Sequence, residues 1–133
     1  MGLPTLSLPH WVNLESTLRC NLECIMCGSY LSGVTKQLRG MAPELLDRVK
    51  DQLLPAAQDL SLTVAGEPFM TPGLGTFADL AADQDVALQF NSNATLIKEG
   101  PQLEQLLRQS SLVRFSIDGA TKEAYESIRV QGD

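Results

Sequence analysis

The chain has 133 residues, of which 44% are hydrophobic and 5% aromatic, and it carries a formal net charge of −6. This length predicts a single domain with a mainly aliphatic core. The acidic balance and the lack of a Lys/Arg run argue against a nucleic-acid surface, since phosphates need clustered basic side chains. No apolar run approaches the roughly 20 residues that span a bilayer, so we expect no membrane partner.

In chain order, an N-terminal lead-in at residues 1–10 is followed by a predicted strand at 11–15. That strand leads into a loop that holds every cysteine of the sequence: Cys20, Cys24 and Cys27. A helix is then predicted to begin at Pro43 and to stop at Pro55. Its apolar stripe consists of Leu45, Leu46, Val49 and Leu53.

The second predicted strand, residues 60–64, ends abruptly in Ala65-Gly66-Glu67-Pro68. Thr71 is predicted to cap the next helix, with Pro72 in its first turn. The inward-facing residues of that helix are predicted to be Leu74, Phe77, Ala78 and Ala81.

The third predicted strand, residues 86–90, ends in a polar stretch at 91–95. A helix is predicted to follow Pro101, and its apolar stripe consists of Leu103, Leu106 and Leu107. A fourth strand is predicted at 112–117, and Thr121 is expected to open the last helix.

The last three predicted strands start about 26 residues apart, which is the length of a strand, a helix and two short loops. Such alternation predicts parallel βαβ units with right-handed crossovers, and therefore an α/β fold. Ligands of parallel sheets and barrels bind at the carboxyl ends of the strands. The cysteine loop and three polar stretches (66–67, 91–93 and 116–118) all follow strands, so we expect them on one rim.

The spacing of the cysteines favours a metal cluster. Three thiolates with gaps of three and two residues can converge on one iron–sulfur cluster if the backbone curls around it. Three ligands leave one iron of a four-iron cluster open to a substrate or cofactor, as in catalytic metal sites. A clustered, odd number of cysteines with no export signal favours the reducing cytoplasm.

Two other interpretations of the cysteines remain open. They sit at i, i+4 and i+7 and could be one buried face of a helix in a noncatalytic α/β domain, although such a helix would spread the outer two over roughly 10 Å. They could also bind zinc together with His10, although the second Cys or His pair of most zinc modules is missing.

The Cys-x3-Cys-x2-Cys loop just after a predicted strand resembles the cluster loop of the radical S-adenosylmethionine (radical SAM) enzymes. The resemblance implies a partial TIM-type (β/α)6 barrel, of which residues 11–133 would supply about four strands, so we expect a C-terminally incomplete core domain. It implies a [4Fe-4S] cluster on the three cysteines that cleaves S-adenosylmethionine reductively to a 5′-deoxyadenosyl radical, which abstracts hydrogen from a substrate. An external one-electron donor of the flavodoxin or ferredoxin type is also implied.

Cofactor contacts follow from the same resemblance. Ala65-Gly66-Glu67-Pro68 is similar to the family's Gly-Gly-Glu-Pro segment, which implies that Gly66 and Glu67 receive the ammonium group of the cofactor. Met26 stands where many members place an aromatic residue beside the adenine. Asn93 lies in the loop after the third strand and could hold a ligand or merely cap that loop.

Residues 112–119, followed by Tyr125 and Arg129, resemble the fourth-strand signature of the subgroup with a C-terminal SPASM domain. This implies that Ser116 reaches the ribose and that the Arg129 fork holds the cofactor carboxylate. Asp118 is a further candidate for a cofactor contact, although Asp-Gly after a strand also commonly makes a turn. The motifs do not specify the substrate, and the subgroup suggests a peptide.

Overall fold

The computed structural model describes residues 8–36 and 40–131, so most of the predicted lead-in lies outside the described residues. Four strands form one sheet in these ranges: β1 (Trp11–Asn13), β2 (Asp59–Ser61), β3 (Ala87–Ser92) and β4 (Ser110–Phe115). The α-helices there are α1 (Gly28–Leu31), α2 (Pro43–Gln52), α3 (Leu74–Asp83), α4 (Pro101–Gln109) and α5 (Lys122–Ile128). Short 3-10 helices occupy Val34–Lys36, Leu54–Ala56 and Pro68–Met70.

All neighbouring strands of the sheet are parallel, and their spatial order is β1-β2-β3-β4. The predicted parallel α/β architecture is therefore confirmed. Because the strands run in the same direction, the loops that follow them emerge at one edge of the sheet. No helix within the described ranges is long and apolar enough to cross a bilayer.

The core is mainly aliphatic, with Phe77 and Phe90 also buried, and lies between the sheet and its helices. Leu60, Leu62 and Leu88 are fully buried, and α3 and α4 pack against each other and against β3. Full burial of a leucine contributes about 1.5–3 kcal/mol, so the central strands supply much of the stability. A parallel sheet that is covered by helices is buried, which explains why its strands are apolar in sequence.

The prediction that Thr71 caps the second long helix is wrong. Thr71 instead ends the short 3-10 helix, and its hydroxyl lies 2.9 Å from the Ser16 hydroxyl in a buried hydrogen bond. The helix begins at Leu74 after Gly73, whose φ of 68° suits glycine. Thr121 does cap α5, accepting a hydrogen bond from the Ala124 amide.

Two leucines of the predicted apolar stripes do not face the core. Leu45 of α2 is 47% exposed and Leu107 of α4 is 46% exposed, whereas Val49 and Leu106 are buried. The helical period predicts which residues share a side of a helix, but the width of the buried contact is set by neighbouring elements.

Candidate functional site

A cavity of about 270 Å³ opens at the carboxyl edge of the sheet. Its volume is close to the lower end of small-molecule sites, about 300 Å³. Its walls come from the loop after β1, the loop after β2, the end of β3, and the segments that follow β4. The predicted site residues in its lining are Cys20, Cys24, Met26, Cys27, Gly66, Glu67, Asn93, Ser116 and Arg129. The predicted rim stretches therefore meet at one cavity.

The cysteines lie on an irregular loop. Residues 18–27 contain no helix, and α1 begins only at Gly28, with Cys27 as its N-cap. The Cys27 sulfur accepts a hydrogen bond from the Tyr30 amide at 3.4 Å. The interpretation of the cysteines as one face of a helix is therefore wrong.

The end of α5 clamps this loop on both sides of Cys24. The Glu23 amide donates to the Val130 carbonyl at 2.9 Å, and the Ile25 amide donates to the Ile128 carbonyl at 3.1 Å. These two backbone bonds span more than 100 positions of sequence. They couple the cysteine loop to the segment that carries Arg129.

The thiols share one electrostatic environment. Burial raises the pKa of Cys20, a hydrogen bond from the Leu22 backbone lowers it, and the negative charges of Glu67, Cys24 and Cys27 raise it further. Adjacent thiolates in a half-buried site repel one another, so they require a cationic partner to be stable together. A cluster of iron ions supplies that positive charge.

The described donors do not form a site for a single ion. A zinc ion with thiolates at about 2.3 Å keeps any two of them within about 4.6 Å of each other. Within residues 8–36 and 40–131, no group of three His, Cys, Asp or Glu side chains could hold one metal ion. A four-iron cluster would give each thiolate its own iron, so it does not require three side chains around a single ion.

His10 is excluded as a fourth ligand by its position. It is exposed, and its carbonyl accepts hydrogen bonds from the amides of Gln58 (2.7 Å) and Asp59 (3.2 Å), where β2 begins. This is the amino edge of the sheet, opposite the cavity. The zinc site that combines His10 with the cysteines is therefore wrong.

Glu67 is a buried acid that links two parts of the rim. It is 2% exposed, and its carboxylate accepts hydrogen bonds from the Ser92 hydroxyl (2.8 Å), the Asn93 amide (2.8 Å) and the Phe69 amide (3.2 Å). Glu67 thus joins the loop after β2 to the end of β3. With two acceptor sites on each oxygen, the carboxylate retains capacity for one more donor.

Gly66 lies where the backbone leaves no room for a side chain. A Cβ at this position would lie 2.0 Å from the Thr17 carbonyl oxygen and 2.8 Å from that of Arg19. The neighbouring Glu67 amide donates to the Arg19 carbonyl at 2.7 Å. The loop after β2 therefore packs directly on the backbone that enters the cysteine loop.

Arg129 is the only basic residue among the described residues that line the cavity. Its Nε and Nη2 atoms both lie 2.5 Å from Asp118 Oδ2, and its Nη1 atom lies 3.7 Å from the Cys24 sulfur. Burial alone would lower the pKa of Arg129, but the hydrogen bond and charge of Asp118 and the Cys24 thiolate outweigh burial, so its pKa is raised. The guanidinium is a permanent positive charge beside the cysteines.

Known proteins resemble the chain over nearly its whole length. AlbA of Bacillus subtilis, an antilisterial bacteriocin subtilosin biosynthesis protein, is 27% identical over 92% of this chain and 27% of its own length. The mycofactocin maturase MftC of Mycobacterium ulcerans is 29% identical over 96% of this chain and 34% of its own length. The chain therefore spans about a third or less of these relatives. No family model matches it.

A likeness of fold accompanies the likeness of sequence. The crystal structure of SuiB from Streptococcus suis bound to S-adenosylmethionine matches with a TM-score of 0.71 and 18% identity, over 92% of this chain and 28% of that one. SuiB has also been solved bound to its precursor peptide SuiA. Motif, sequence and fold now agree. The chain is similar to radical SAM enzymes in its motifs, its sequence and its fold. Its four parallel strands are those of a partial TIM-type barrel.

Asp118 is the one predicted site residue that does not line the cavity. Its carboxylate holds the Arg129 guanidinium, and direct contact between Asp118 and a cofactor stays a prediction. Met26 lines the cavity and is 52% exposed. The hydroxyl of Ser116 makes no hydrogen bond with any residue of the described ranges, so it is available to a ligand.

Asn93 connects two loops of the rim. Its Nδ2 donates to Asn21 Oδ1 at 3.0 Å, and its Oδ1 accepts from the Thr95 amide at 3.0 Å. Asn21 in turn donates to the Thr95 hydroxyl at 2.8 Å. The structure therefore assigns Asn93 a role in shaping the loop, whereas its contact with a ligand stays a prediction.

Sequence reasoning missed Glu15, whose carboxylate accepts hydrogen bonds from three successive amides of the loop after β2. An acid at the carboxyl end of a predicted strand is a weak signal of such a role. Nothing local in the sequence indicates that its partners lie about 50 positions further along the chain.

Proposed function

We propose that residues 11–133 form part of the catalytic core of a radical SAM enzyme that acts on a peptide. The observation that carries the proposal is the meeting of three cysteines with the predicted cofactor residues at one cavity, on the edge where parallel sheets bind ligands. The similarity to AlbA, MftC and SuiB supports it independently.

Cys20, Cys24 and Cys27 would hold a [4Fe-4S] cluster. When bound with S-adenosylmethionine, the cluster supplies reductive cleavage of the sulfonium to a 5′-deoxyadenosyl radical that abstracts hydrogen from the substrate. The chain's own residues bring the thiolates to one cavity and provide a positive charge at Cys24 through Arg129. The electron would come from an external donor of the flavodoxin or ferredoxin type, in the reducing cytoplasm.

S-Adenosylmethionine would lie along the rim with its amino-acid end at the loop after β2. Gly66 and Glu67 would receive its ammonium group and Ser116 would receive its ribose. Nε and Nη2 of Arg129 are engaged by Asp118 and Nη1 donates to the Cys24 sulfur, so the carboxylate would be held by the positive charge and the remaining N–H groups of the guanidinium. Met26, half-exposed at the cavity, would pack against the adenine, since a thioether packs well on aromatic faces.

A peptide is the substrate class that the comparisons favour. SuiB has been solved with a precursor peptide, and AlbA is named for the biosynthesis of a bacteriocin.

The test is anaerobic reconstitution of the chain with iron and sulfide. We expect brown protein with about four irons per chain, and binding of S-adenosylmethionine by calorimetry. After reduction with dithionite, mass spectrometry should detect 5′-deoxyadenosine. Cys24→Ser should lose most of the iron because the sequence has no other cysteine to substitute for the three.

His10→Ala is the matched control, since His10 lies at the opposite edge of the sheet and should not affect iron content. Zinc in place of iron, or loss of metal in His10→Ala, would support a non-enzymatic zinc module instead. A stable cluster that binds no S-adenosylmethionine would support an electron-transfer module.

A further inference from the structure

Glu15 is bound by a row of backbone amides. Its carboxylate accepts hydrogen bonds from the amides of Val64 (3.5 Å), Ala65 (2.6 Å) and Gly66 (3.2 Å). Successive amides that converge on one anion form a nest, and the anion fixes the backbone conformation of the nest. Glu15 thereby determines the shape of the loop after β2.

The carbonyls of the same three residues are free. Val64, Ala65 and Gly66 line the cavity, and their carbonyl oxygens accept no hydrogen bond from any residue in 8–36 or 40–131. The buried Glu67 carboxylate adjoins them. Several open acceptors beside a negative charge suit a cationic donor with more than one N–H, such as an ammonium group.

Besides the contact with Glu15, two backbone contacts hold the loop after β2 in place. Gly66 packs on the Thr17 backbone, and the Glu67 amide is bonded to the Arg19 carbonyl. With Glu15, three points between residues 15 and 19 hold the loop against the start of the cysteine loop. Only Glu15 acts through a side chain, so it is the point that a substitution can remove.

We propose that Glu15 is a positioning residue that fixes the carbonyls of Val64, Ala65 and Gly66 as the receptor for an ammonium group. The inference rests on the proposed function, in which that group is the ammonium of S-adenosylmethionine. Glu15 does not touch the ligand; it binds the amides of the loop and leaves the carbonyl oxygens without a donor in the described ranges.

The test compares two ligands on the cluster-reconstituted chain: S-adenosylmethionine, and 5′-methylthioadenosine, which keeps the adenosine but lacks the ammonium and carboxylate. Glu15→Gln replaces one carboxylate oxygen by an NH2 group, which cannot accept a hydrogen bond from the loop amides. We expect the Kd for S-adenosylmethionine to rise about tenfold to a hundredfold, the range for loss of hydrogen bonds to a charged group. The Kd for 5′-methylthioadenosine should stay the same.

Glu15→Asp keeps the charge and should recover part of the affinity, and Glu99→Gln, at an exposed acid outside the cavity, should change neither Kd. Hydrogen exchange of the wild-type chain provides a second measurement, in which slow exchange of the Ala65 and Gly66 amides is expected. The proposal would be overturned if Glu15→Gln weakened the binding of both ligands equally or left the affinity for S-adenosylmethionine unchanged. Fast exchange of the Ala65 and Gly66 amides in the wild type would also overturn it. Failure of the wild type to bind S-adenosylmethionine would overturn the proposed function itself and this inference with it.

Discussion

Replacement of Gly66 by alanine tests the close packing between the loop after β2 and the cysteine loop. The new Cβ would lie 2.0 Å from the Thr17 carbonyl oxygen, whereas Cβ contacts under 3.0 Å essentially never occur, so one backbone must move by about 1 Å. Overpacking of this kind costs about 1–3 kcal/mol, and each hydrogen bond broken by the shift adds about 1 kcal/mol. We expect the free energy of unfolding to fall by about 3 kcal/mol.

Urea unfolding followed by circular dichroism measures this loss. Gly75→Ala, within helix α3, is the matched control. The Cβ there would meet only Gln102 Nε2, at an ordinary contact distance of 3.7 Å. Alanine is the better helix former, so Gly75→Ala should raise stability by about 0.5–1 kcal/mol. If the free energy of unfolding of Gly66→Ala lies within about 0.5 kcal/mol of the wild-type value, the close packing is refuted.

Further substitutions test other parts of the account by the same unfolding assay. Gly119→Ala would place a Cβ 2.3 Å from the Tyr125 amide nitrogen, so stability should fall by about 2–3 kcal/mol; wild-type stability would show that the approach of Gly119 to α5 is wrong. Ala94 has a φ of 66°, and Ala94→Gly should gain up to about 1 kcal/mol by relieving that conformation, whereas a clear loss would contradict it. Leu60→Ala should cost about 3 kcal/mol because Leu60 is fully buried, while Leu107→Ala, at a half-exposed position, should cost little; equal effects would refute the described core.

The sequence predicted the strands because their apolar runs are local signals, but it did not predict where they end. β2 was expected at 60–64, whereas it ends at Ser61. Past Ser61, the amides of Val64, Ala65 and Gly66 turn to the Glu15 carboxylate instead of a neighbouring strand. The Leu62 amide still donates to the Gln89 carbonyl of β3, but the amides from Val64 onward bind a side chain from a distant segment, and no local pattern encodes that contact.

The candidate site could be predicted as a set of residues but not as a network. Because parallel strands end at one edge, position after a strand was enough to group the cysteines with Glu67, whereas Arg129, at the end of α5, was predicted only from the resemblance. The partners were not readable from sequence, since Glu67 is held by Ser92 and Asn93, and Arg129 is held by Asp118 beside Cys24. These contacts depend on how three loops meet in space.

We propose that three thiols hold one four-iron cluster with an open iron that S-adenosylmethionine can reach. This proposal is tested by the electron paramagnetic resonance spectrum of the dithionite-reduced, reconstituted chain, recorded with and without S-adenosylmethionine. We expect the signal of a reduced [4Fe-4S] cluster whose g values shift when S-adenosylmethionine is added. A cluster signal that is identical with and without S-adenosylmethionine would contradict the proposal.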